Sequence, residues 1–518
     1  MNVRRSTINV LSAVCIALVL SNSPGSLLAA DVPAQRPNIV VFLVDDMGWQ
    51  DTSVAFGPTT TEWNKTYRTP NMERLAREGV LFTDAYAACC VCSPTRTSLM
   101  TGRSPARTRI TNWTSGLKKM DGNRLMTCPT DWRMAGLQPE DGFPKLPALL
   151  AELGYVTIHS GKAHLGAANS KGADPTNLGF EVNIAGSRHG SPAGYHPNPK
   201  WLQNHPGLEA YQGTEINLND AITREANKAV NRAVEQGKPF FLHLAHYAIH
   251  APIQAIPPYV DRYRTAGLPD AEARYASLIE SMDASLGAVL ANLQQQGVLE
   301  NTVILFLSDN GGLSNHSRAT TGGRFVLDRH NTPLRAGKGC AYEGGTRTPM
   351  IGWWPGHFPA AKRVSNPVIT MDVFDTVLEL AGMPTSEIDS LDTDGQSLAA
   401  LLRSGRQSDG PAADRPLFWH YPHQWYGDIG KGDGIEPHSS VRAGRHKLYY
   451  FYSDRRWELY DLEADLSETE DLVKTQPEVA ARLAALLVER MRSVEAQLPI
   501  DKKTGTPVPF PRFPRFPP

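Results

Sequence analysis

The chain has 518 residues, a formal net charge of -1 and 41% hydrophobic residues. This ordinary globular composition predicts one large domain plus a smaller one, or two to three average domains. Because positive and negative charges balance, neither nucleic acid nor a membrane surface is an expected partner.

The N-terminus predicts a signal peptide over residues 1–30. A basic start, MNVRR, precedes the apolar run VLSAVCIALVL, and the small residues of SLLAA offer a cleavage site near Ala30. The alternative is a membrane anchor, but the apolar run is short for a bilayer span, and no later stretch is apolar enough. We therefore expect an exported protein, periplasmic or secreted, after signal cleavage.

Several apolar runs predict buried strands of a mostly parallel sheet. They are NIVVFLV, GYVTIHS, KPFFLHLA and TVILFLS. Helical patterns lie between them, such as TPNMERLAREG and residues 276–296. Strands that alternate with helices predict an open α/β sheet, in which ligands bind beyond the carboxyl ends of the strands.

Oxygen-bearing side chains directly follow two of these runs. Asp45 and Asp46 end the first run, and Asp309 and Asn310 end the last. Such ligands suit calcium or magnesium. One adjacent Asp pair is more often a solvated turn, but two such pairs, each closing a strand, favour a site for a hard cation.

Cationic and titratable side chains complete the candidate site. Lys162, Arg96 and Lys338 offer fixed positive charge, while His164 and His250 can move protons near neutral pH. Together with the oxygen ligands, this set predicts an anion held against a hard cation.

The cysteines include one candidate nucleophile. Once Cys15 leaves with the signal, an odd number of cysteines remains, so at least one is unpaired or modified. Zinc is not expected, because no second cysteine pair or His-x-His follows at ligand spacing. Cys92 lies just before a predicted short helix, PTRTSLMTG, whose N-terminus favours an anion. A plain thiolate nucleophile is one interpretation, although an exported thiolate would be prone to oxidation.

The segment CSPTR at residues 92–96, followed by TGR at 101–103, resembles the type I sulfatase signature Cys-x-Pro-x-Arg with its Thr-Gly-Arg segment. In that family the cysteine is converted to formylglycine (3-oxoalanine). Further blocks resemble the family and occur in its order over residues 36–475: PNIVVFLVDDMGWQD, SGKAHLG, HAP, SDNGG, PLRAGKGCAYEGGTRTPMIGWWPG and, in the C-terminal subdomain, VRAGRHKLYY and ELYDLEADLSETEDL. Thr95 replaces the commoner serine, which the family tolerates.

The resemblance implies an alkaline-phosphatase-like α/β fold. It consists of a large mixed, mostly parallel sheet sandwiched by helices, with a smaller C-terminal α+β subdomain that carries an antiparallel sheet and a helix. It also implies a sulfatase that hydrolyses sulfate monoesters through the hydrate of formylglycine 92. One hydroxyl attacks sulfur, and the other later expels sulfate. A formylglycine-generating maturation enzyme is the implied partner.

One calcium ion per chain is also implied by the resemblance, polarising the diol and a sulfate oxygen. The implied ligands are Asp45, Asp46, Asp309, Asn310 and the hydrated residue derived from Cys92.

The family's catalytic roles transfer to matching positions of this chain. Arg96 supports the diol, and Lys162 and Lys338 neutralise sulfate charge in the transition state. His250 is the implied acid for the leaving alcohol, and His164 is the implied base for release of sulfate. The reverse assignment of the two histidines remains open.

Modification of Cys92 leaves an even number of cysteines. The pair Cys89 and Cys90, directly upstream, is unusual for the family. We expect disulfides from these residues to Cys128 or Cys340.

We expect a catalytic domain over residues 36–405, a C-terminal subdomain over 415–500 and a Pro-rich tail over 501–518. The segment SGRQSDGPAADRP predicts the linker, and HKLYYFY and RRWELYDL predict antiparallel strands. Residues 476–497 predict a packing helix. The tail has too many prolines for regular helix or sheet.

Two segments are candidates for substrate binding. GSRHGSPAGYH contains Ser187 and His189, and FWHYPHQWYGD contains His420 and His423. Aromatic and histidine-rich loops suit sugar rings, so a sulfated carbohydrate is the preferred substrate. The alternative is that these loops simply pack against the core.

Other functions remain as alternatives. A phosphonate or phosphate monoester hydrolase would share the fold, but a two-metal phosphatase needs further His and Asp ligands that the sequence does not offer as a complete set. A non-catalytic relative that binds sulfated glycans is disfavoured, because every catalytic position is filled.

Overall fold

The computed structural model of the protein describes residues 36–114, 125–313, 330–408, 415–425 and 434–514. The predicted signal peptide, residues 1–30, lies outside these residues. The described strands, in chain order, are β1 (Asn38–Val44), β2 (Val80–Phe82), β3 (Ala85–Tyr86), β4 (Met126–Thr127), β5 (Val156–Gly161), β6 (Val182–Ile184), β7 (Phe240–Ala245), β8 (Thr302–Ser308), β9 (Met350–Trp353), β10 (Lys362–Val364), β11 (Val368–Ile369), β12 (Leu417–Tyr421), β13 (His438–Ala443), β14 (His446–Phe451), β15 (Arg456–Asp461), β16 (Ile500–Asp501) and β17 (Thr506–Pro507).

The helices begin and end as follows. The described α-helices are α1 (Glu62–Thr66), α2 (Pro70–Glu78), α3 (Cys92–Thr101), α4 (Pro105–Thr108), α5 (Leu146–Glu152), α6 (Trp201–Asn204), α7 (Leu218–Glu235), α8 (Tyr259–Thr265), α9 (Asp270–Gln295), α10 (Glu343–Thr346), α11 (Met371–Leu380), α12 (Thr385–Ser390), α13 (Ala399–Ser404) and α14 (Pro477–Ser493). Short 3-10 helices cover Lys171–Ala173, Pro175–Leu178, Glu209–Tyr211 and Leu299–Asn301.

The main sheet has eight strands in the order β10-β2-β9-β8-β1-β7-β5-β6. The strand β9 runs antiparallel to both of its neighbours, β2 and β8, and the other pairings are parallel. The predicted mixed, mostly parallel sheet is therefore confirmed. Strands β8, β1, β7 and β5 lie side by side at its centre. These are the four predicted apolar runs, so the polar residues that follow them lie close together.

Both faces of the main sheet are buried, which explains why its strands are apolar without alternation. On β1, Val40 and Phe42 enter one core, while Val41 and Leu43 enter the other. Helices α7 and α9 cover the first face, and α3 and α11 cover the second. The sheet is thus sandwiched by helices, as expected.

The C-terminal part forms a four-stranded antiparallel sheet, β12-β13-β14-β15, which confirms the expected antiparallel strands. Helix α14 packs on it, with Leu483 and Leu487 against Val441 and Leu448. Burying this apolar helix face against the sheet stabilises both elements.

Buried ion pairs join this smaller sheet to the segment 343–347 and to Asp84, which lies between β2 and β3. Lys447 on β14 lies 2.7 Å from the Glu343 carboxylate, and Arg347 lies 3.1 Å from the same carboxylate. Arg442 on β13 lies 2.6 Å from Asp84. Because removing one partner would leave a buried charge uncompensated, these pairs fix how the smaller sheet docks.

The expectation that the Pro-rich tail forms no regular structure is wrong for its first residues. Thr506–Pro507 pairs with Ile500–Asp501, which in turn pairs with Met126–Thr127. A turn before Thr506 lets the chain add a two-residue edge strand, and edge positions tolerate proline. Further on, the ring of Phe513 packs edge-on against Trp457.

None of the described helices is both long and apolar enough to pass through a bilayer.

Candidate active site

Three buried carboxylates meet where β1 and β8 end. The two strands are parallel neighbours in register, so the residues that follow them emerge side by side. The Asp46 amide donates to Asp309 Oδ1 at 3.1 Å. One oxygen each of Asp45, Asp46 and Asp309 lies within 4.8 Å of the others, and all three residues are buried.

The unpaired oxygens of this cluster fit a bound cation. Within the described part of the chain, Asp46 Oδ2 and Asn310 Oδ1 are buried and have no hydrogen-bond partner. Buried polar atoms are normally paired, so these two atoms require an explanation. The donor set consists only of oxygens, which calcium and magnesium prefer. The residues present therefore fit a hard divalent cation.

Lys162 and Arg96 offset part of the negative charge. Lys162 Nζ lies 2.9 and 2.8 Å from the two Asp45 oxygens, and Arg96 Nε lies 2.8 Å from Asp309 Oδ2. Burial still raises the pKa of Asp45 well above its usual value. The Lys162 ammonium lowers this pKa, but the neighbouring Asp309 carboxylate raises it further. A bound cation would relieve this unfavourable charge.

Lys338 pairs with Asp46. Its Nζ lies 2.5 Å from Asp46 Oδ1. Burial raises the pKa of the Asp46 carboxyl, but the adjacent Lys338 ammonium outweighs burial and holds that pKa well below its usual value. Burial likewise lowers the pKa of Lys338, and Asp46 outweighs it, so the lysine stays charged.

Cys92 is the first residue of helix α3, rather than the residue just before the helix. The helix ends at Gly102, whose φ of 67° is the left-handed conformation expected of a C-terminal glycine. Burial raises the pKa of the Cys92 thiol, outweighing the opposing effect of Lys162 and Lys338. The thiolate interpretation is therefore disfavoured, because the unmodified sulfur is held as a thiol.

His164 points a basic nitrogen at Cys92. Its Nε2 lies 2.8 Å from the Thr114 carbonyl, and its Nδ1 lies 3.4 Å from Cys92 Sγ. A carbonyl only accepts, so Nε2 carries the hydrogen and Nδ1 offers its lone pair to residue 92. Burial, followed by Lys162 and Arg96, lowers the pKa of His164 well below its usual value, which keeps the ring neutral.

Backbone and glycine contacts hold this histidine. The Thr114 amide donates to Ser93 Oγ at 3.1 Å, and the His164 amide donates to the Ser187 carbonyl at 3.0 Å. Gly190 lies against the ring, where a Cβ would approach His164 Cε1 to 2.4 Å. The ring therefore has little freedom to turn.

His250 lies on the other side of Asp46. Its Nδ1 donates to the Ala251 carbonyl at 2.7 Å, which leaves Nε2 3.8 Å from Asp46 Oδ2. Burial, and then Lys338, lower the pKa of His250 to about 3. His250 is therefore a neutral imidazole here, with Nε2 facing the carboxylates.

A cavity of about 430 Å³ opens above these groups. Its described lining comprises Cys92, Trp113, His164, His189, Gly190, Ser191, Ala193, Lys200, Asn204, His250, Lys338 and Trp425. Trp425 is held against the backbone at Gly339, where a Cβ would approach its ring to 2.2 Å.

The predicted substrate-binding residues divide between the cavity and the core. His189 lines the cavity. Ser187 supports it instead, since its hydroxyl donates to the Asn204 carbonyl at 2.8 Å.

His420 and His423 do not line this cavity. His420 lies 2.7 Å from both Ser439 Oγ and the Gln497 carbonyl, beside a separate cavity of about 340 Å³. His423 Nε2 lies 2.8 Å from Thr111 Oγ1. Both rings are buried and bonded within the protein, so neither is expected to contact substrate here.

Sequence reasoning did not identify Trp113, Lys200 and Asn204 as cavity residues. They lie on separate loops and a short helix, outside any motif that we recognised. An aromatic residue shortly after the TGR segment was the only available signal for Trp113.

The expected disulfides from Cys89 and Cys90 are not formed, because both residues are free thiols. They belong to a buried apolar cluster that also contains Cys340 and Trp425. In this setting they behave as small hydrophobic side chains.

Comparison with known proteins decides the family. A family model described as Sulfatase matches residues 37–383, more than half of the chain. A second model, described as N-sulphoglucosamine sulphohydrolase, C-terminal, matches residues 337–497. The chain belongs to the sulfatase family. It is accordingly a sulfuric ester hydrolase, and the alkaline-phosphatase-like fold is confirmed.

Individual relatives agree with this assignment. Over 462 residues, this sulfatase is 33% identical to an N-acetylgalactosamine-6-sulfatase of Canis lupus familiaris, covering 85% of this chain and 76% of the canine protein. It is also 28% identical over 500 residues to a sulfatase of Formosa agariphila, covering 86% and 85% of the two chains. The solved structure of Ps i-CgsB matches with a TM-score of 0.70 and 27% identity, covering 89% of this chain and 94% of that one.

The contact between Gly190 and His164 yields a first prediction. Gly190→Ala should lower kcat on an aryl sulfate about 10- to 100-fold, because the new methyl group displaces the basic nitrogen from residue 92. The melting temperature should fall as well, because the ring that has to move is bonded at both nitrogens. Steady-state kinetics and thermal unfolding measure both.

A double-mutant cycle provides the control. In a His164→Ala background, the same substitution should cost almost nothing further, because the ring that it displaces is absent. Equal losses in both backgrounds would show that Gly190 acts independently of His164.

Proposed function

We propose that this sulfatase hydrolyses sulfate monoesters of a sulfated saccharide. The observation that carries the proposal is the composition of the cavity: Cys92, His164, His250 and Lys338 line it together with the indoles of Trp113 and Trp425. Charged and titratable groups suit the sulfate ester, and flat aromatic side chains suit the apolar faces of a sugar ring.

Relatives support the same substrate class. The canine relative is named for an N-acetylgalactosamine sulfate, and Ps i-CgsB has been solved with k-i-k-neocarrahexaose. The latter structure matches this chain with a TM-score of 0.68 and 28% identity.

Residue 92 is proposed to be the nucleophile after conversion to formylglycine. Its hydrate supplies one hydroxyl to attack sulfur and a second whose deprotonation releases sulfate. The raised pKa of the thiol supports a role for a modified residue, because the unmodified side chain is a poor nucleophile.

The two lysines have different proposed roles. Lys338 lines the cavity, so its ammonium can neutralise a sulfate oxygen directly. Lys162 is fully buried, does not line the cavity and contacts both Asp45 oxygens. It therefore acts mainly by balancing the charge beneath the sulfate.

The geometry favours His164 as the base and His250 as the acid. His164 presents an unprotonated Nδ1 to residue 92, which suits removal of a proton from the hydroxyl there. His250 also lines the cavity, and the negative charge of an arriving sulfate ester would favour its protonation for transfer to the leaving alcohol.

Arg96 is proposed to support residue 92. Its side chain is buried, and its Nη1 donates to the Lys162 carbonyl at 2.6 Å. Together with its contact to Asp309, this bond fixes the guanidinium beside the carboxylate cluster.

Calcium is the proposed cation. Asp45, Asp46, Asp309 and Asn310, with the hydrated residue 92, would hold it. When bound, it supplies Lewis-acid polarisation of a sulfate oxygen. The described residues contain no second cluster of three metal-ligating side chains, which disfavours a two-metal phosphatase.

Removal of the cation should abolish hydrolysis and leave the fold intact. We expect a chelator to reduce turnover to background, and calcium to restore it better than magnesium, because a carboxylate-rich site suits the larger ion. Elemental analysis and circular dichroism accompany the assay. Full activity in protein shown to be metal-free would contradict the assignment.

Peptide mass spectrometry over residues 92–96 tests the nucleophile. Protein from cells that contain the maturation enzyme should carry formylglycine at position 92, and sulfate release from sulfated saccharides should rise with the converted fraction. Cys92→Ala should fold normally and release no sulfate. An active protein with an unmodified Cys92 would overturn the mechanism.

Export to the periplasm or the medium is likewise proposed, on the pattern of residues 1–30. We expect N-terminal sequencing of protein recovered outside the cytoplasm to begin near residue 31. A protein that is retained in the cytoplasm with an intact N-terminus would refute the proposal.

A further inference from the structure

The described cavity lining carries positive charge and no carboxylate. It contains Lys338, Lys200 and histidines, and no Asp or Glu residue. The carboxylates of the metal cluster lie beneath this lining and are already opposed by Lys162, Arg96 and Lys338. The described lining therefore offers one cation, Lys200, beyond the Lys338 ammonium that faces the reacting sulfate.

The two cavity lysines differ in what they contact. Lys338 is buried and lies 2.5 Å from Asp46, so its charge belongs to the reaction centre. Lys200 is exposed and forms no ion pair with any carboxylate that the structure describes. Its ammonium is thus available to a ligand.

The backbone around Lys200 is well anchored. The Lys200 amide donates to Asn198 Oδ1 at 3.0 Å, and the Lys200 carbonyl accepts from the Asn204 amide at 3.2 Å. The next residue, Trp201, is buried and donates through its indole to the Gly194 carbonyl at 3.2 Å. The lysine therefore projects from a fixed base.

The neighbouring wall adds hydrogen-bonding capacity without negative charge. His189 and Asn204 also line the cavity, and the exposed Arg188 adjoins His189. Burial, and then Arg188, lower the pKa of His189, which favours the neutral imidazole. An anion on this side would meet one lysine and polar side chains.

We infer that Lys200 binds a second anionic group of the substrate, so that this sulfatase prefers a saccharide with a carboxylate or a further sulfate beside the ester that it cleaves. The inference rests on the proposed function and adds a subsite to it. A second anion would pair with Lys200, whereas a monosulfated sugar would leave that charge unpaired.

The test compares wild type with Lys200→Gln on three substrates. They are a hexosamine monosulfate, the same sugar linked to a uronic acid, and the disulfated hexosamine. The variant should raise KM for one or both doubly charged substrates about fivefold, as for an exposed ion pair. KM for the monosulfate and every kcat should remain unchanged. The substrate that is affected identifies the second anion as a carboxylate or a sulfate.

Lys171→Gln is the matched control. Lys171 is also exposed, pairs with Glu140 at 3.3 Å and lies outside the cavity lining. The Lys171→Gln substitution should therefore leave KM unchanged for all three substrates. High salt should shrink the difference between wild type and Lys200→Gln, because salt screens an exposed ion pair.

Two outcomes overturn the inference. Unchanged KM values for all three substrates would show that Lys200 binds no second anion, and an equal rise for all three would show that it does not discriminate. The proposed function fails separately, if the wild type cleaves an aryl sulfate but none of the saccharides.

Discussion

The crowding of three buried carboxylates at one edge of the sheet is the constraint on which the rest of the site depends. Parallel pairing of β1 with β8 brings Asp45, Asp46 and Asp309 together, and burial makes their charge costly. Three cationic side chains, Lys162, Arg96 and Lys338, form ion pairs with these carboxylates. The pKa of Asp45 nevertheless stays raised, so its charge is only partly compensated. A bound cation would therefore lie where the fold already requires positive charge, and Lys338, which lines the cavity, would face an incoming anion.

The smaller sheet contributes to the site through its ion pairs. Lys447 holds Glu343, and Glu343 follows Lys338 by five residues in the same buried segment. The docking of the antiparallel sheet thus helps to fix the backbone that carries Lys338. The C-terminal strands therefore help to position a residue of the active site, although they supply no residue to the metal cluster.

Sequence reasoning predicted the parts of this protein that depend on short-range pattern. Apolar runs followed by Asp45-Asp46 and Asp309-Asn310 predicted both the strands and their convergence, because parallel strands end at the same edge. The cavity walls were harder to predict. Trp113 and Lys200 come from segments without periodicity, and His420 looked equally suited until its bonds to Ser439 and Gln497 were visible. Which loop faces a pocket depends on tertiary packing, which a local pattern does not encode.

The complete burial of helix α3 sets an order of events. Every residue from Cys92 to Thr101 is buried, and Cys92 is only 3% exposed. An enzyme that must grasp the motif around this cysteine would find no accessible peptide in the native protein. The proposed conversion of Cys92 to formylglycine therefore has to precede folding. The rate of modification then has to exceed the rate at which the new chain folds. A molecule that folds first would be permanently inert, however correct its structure.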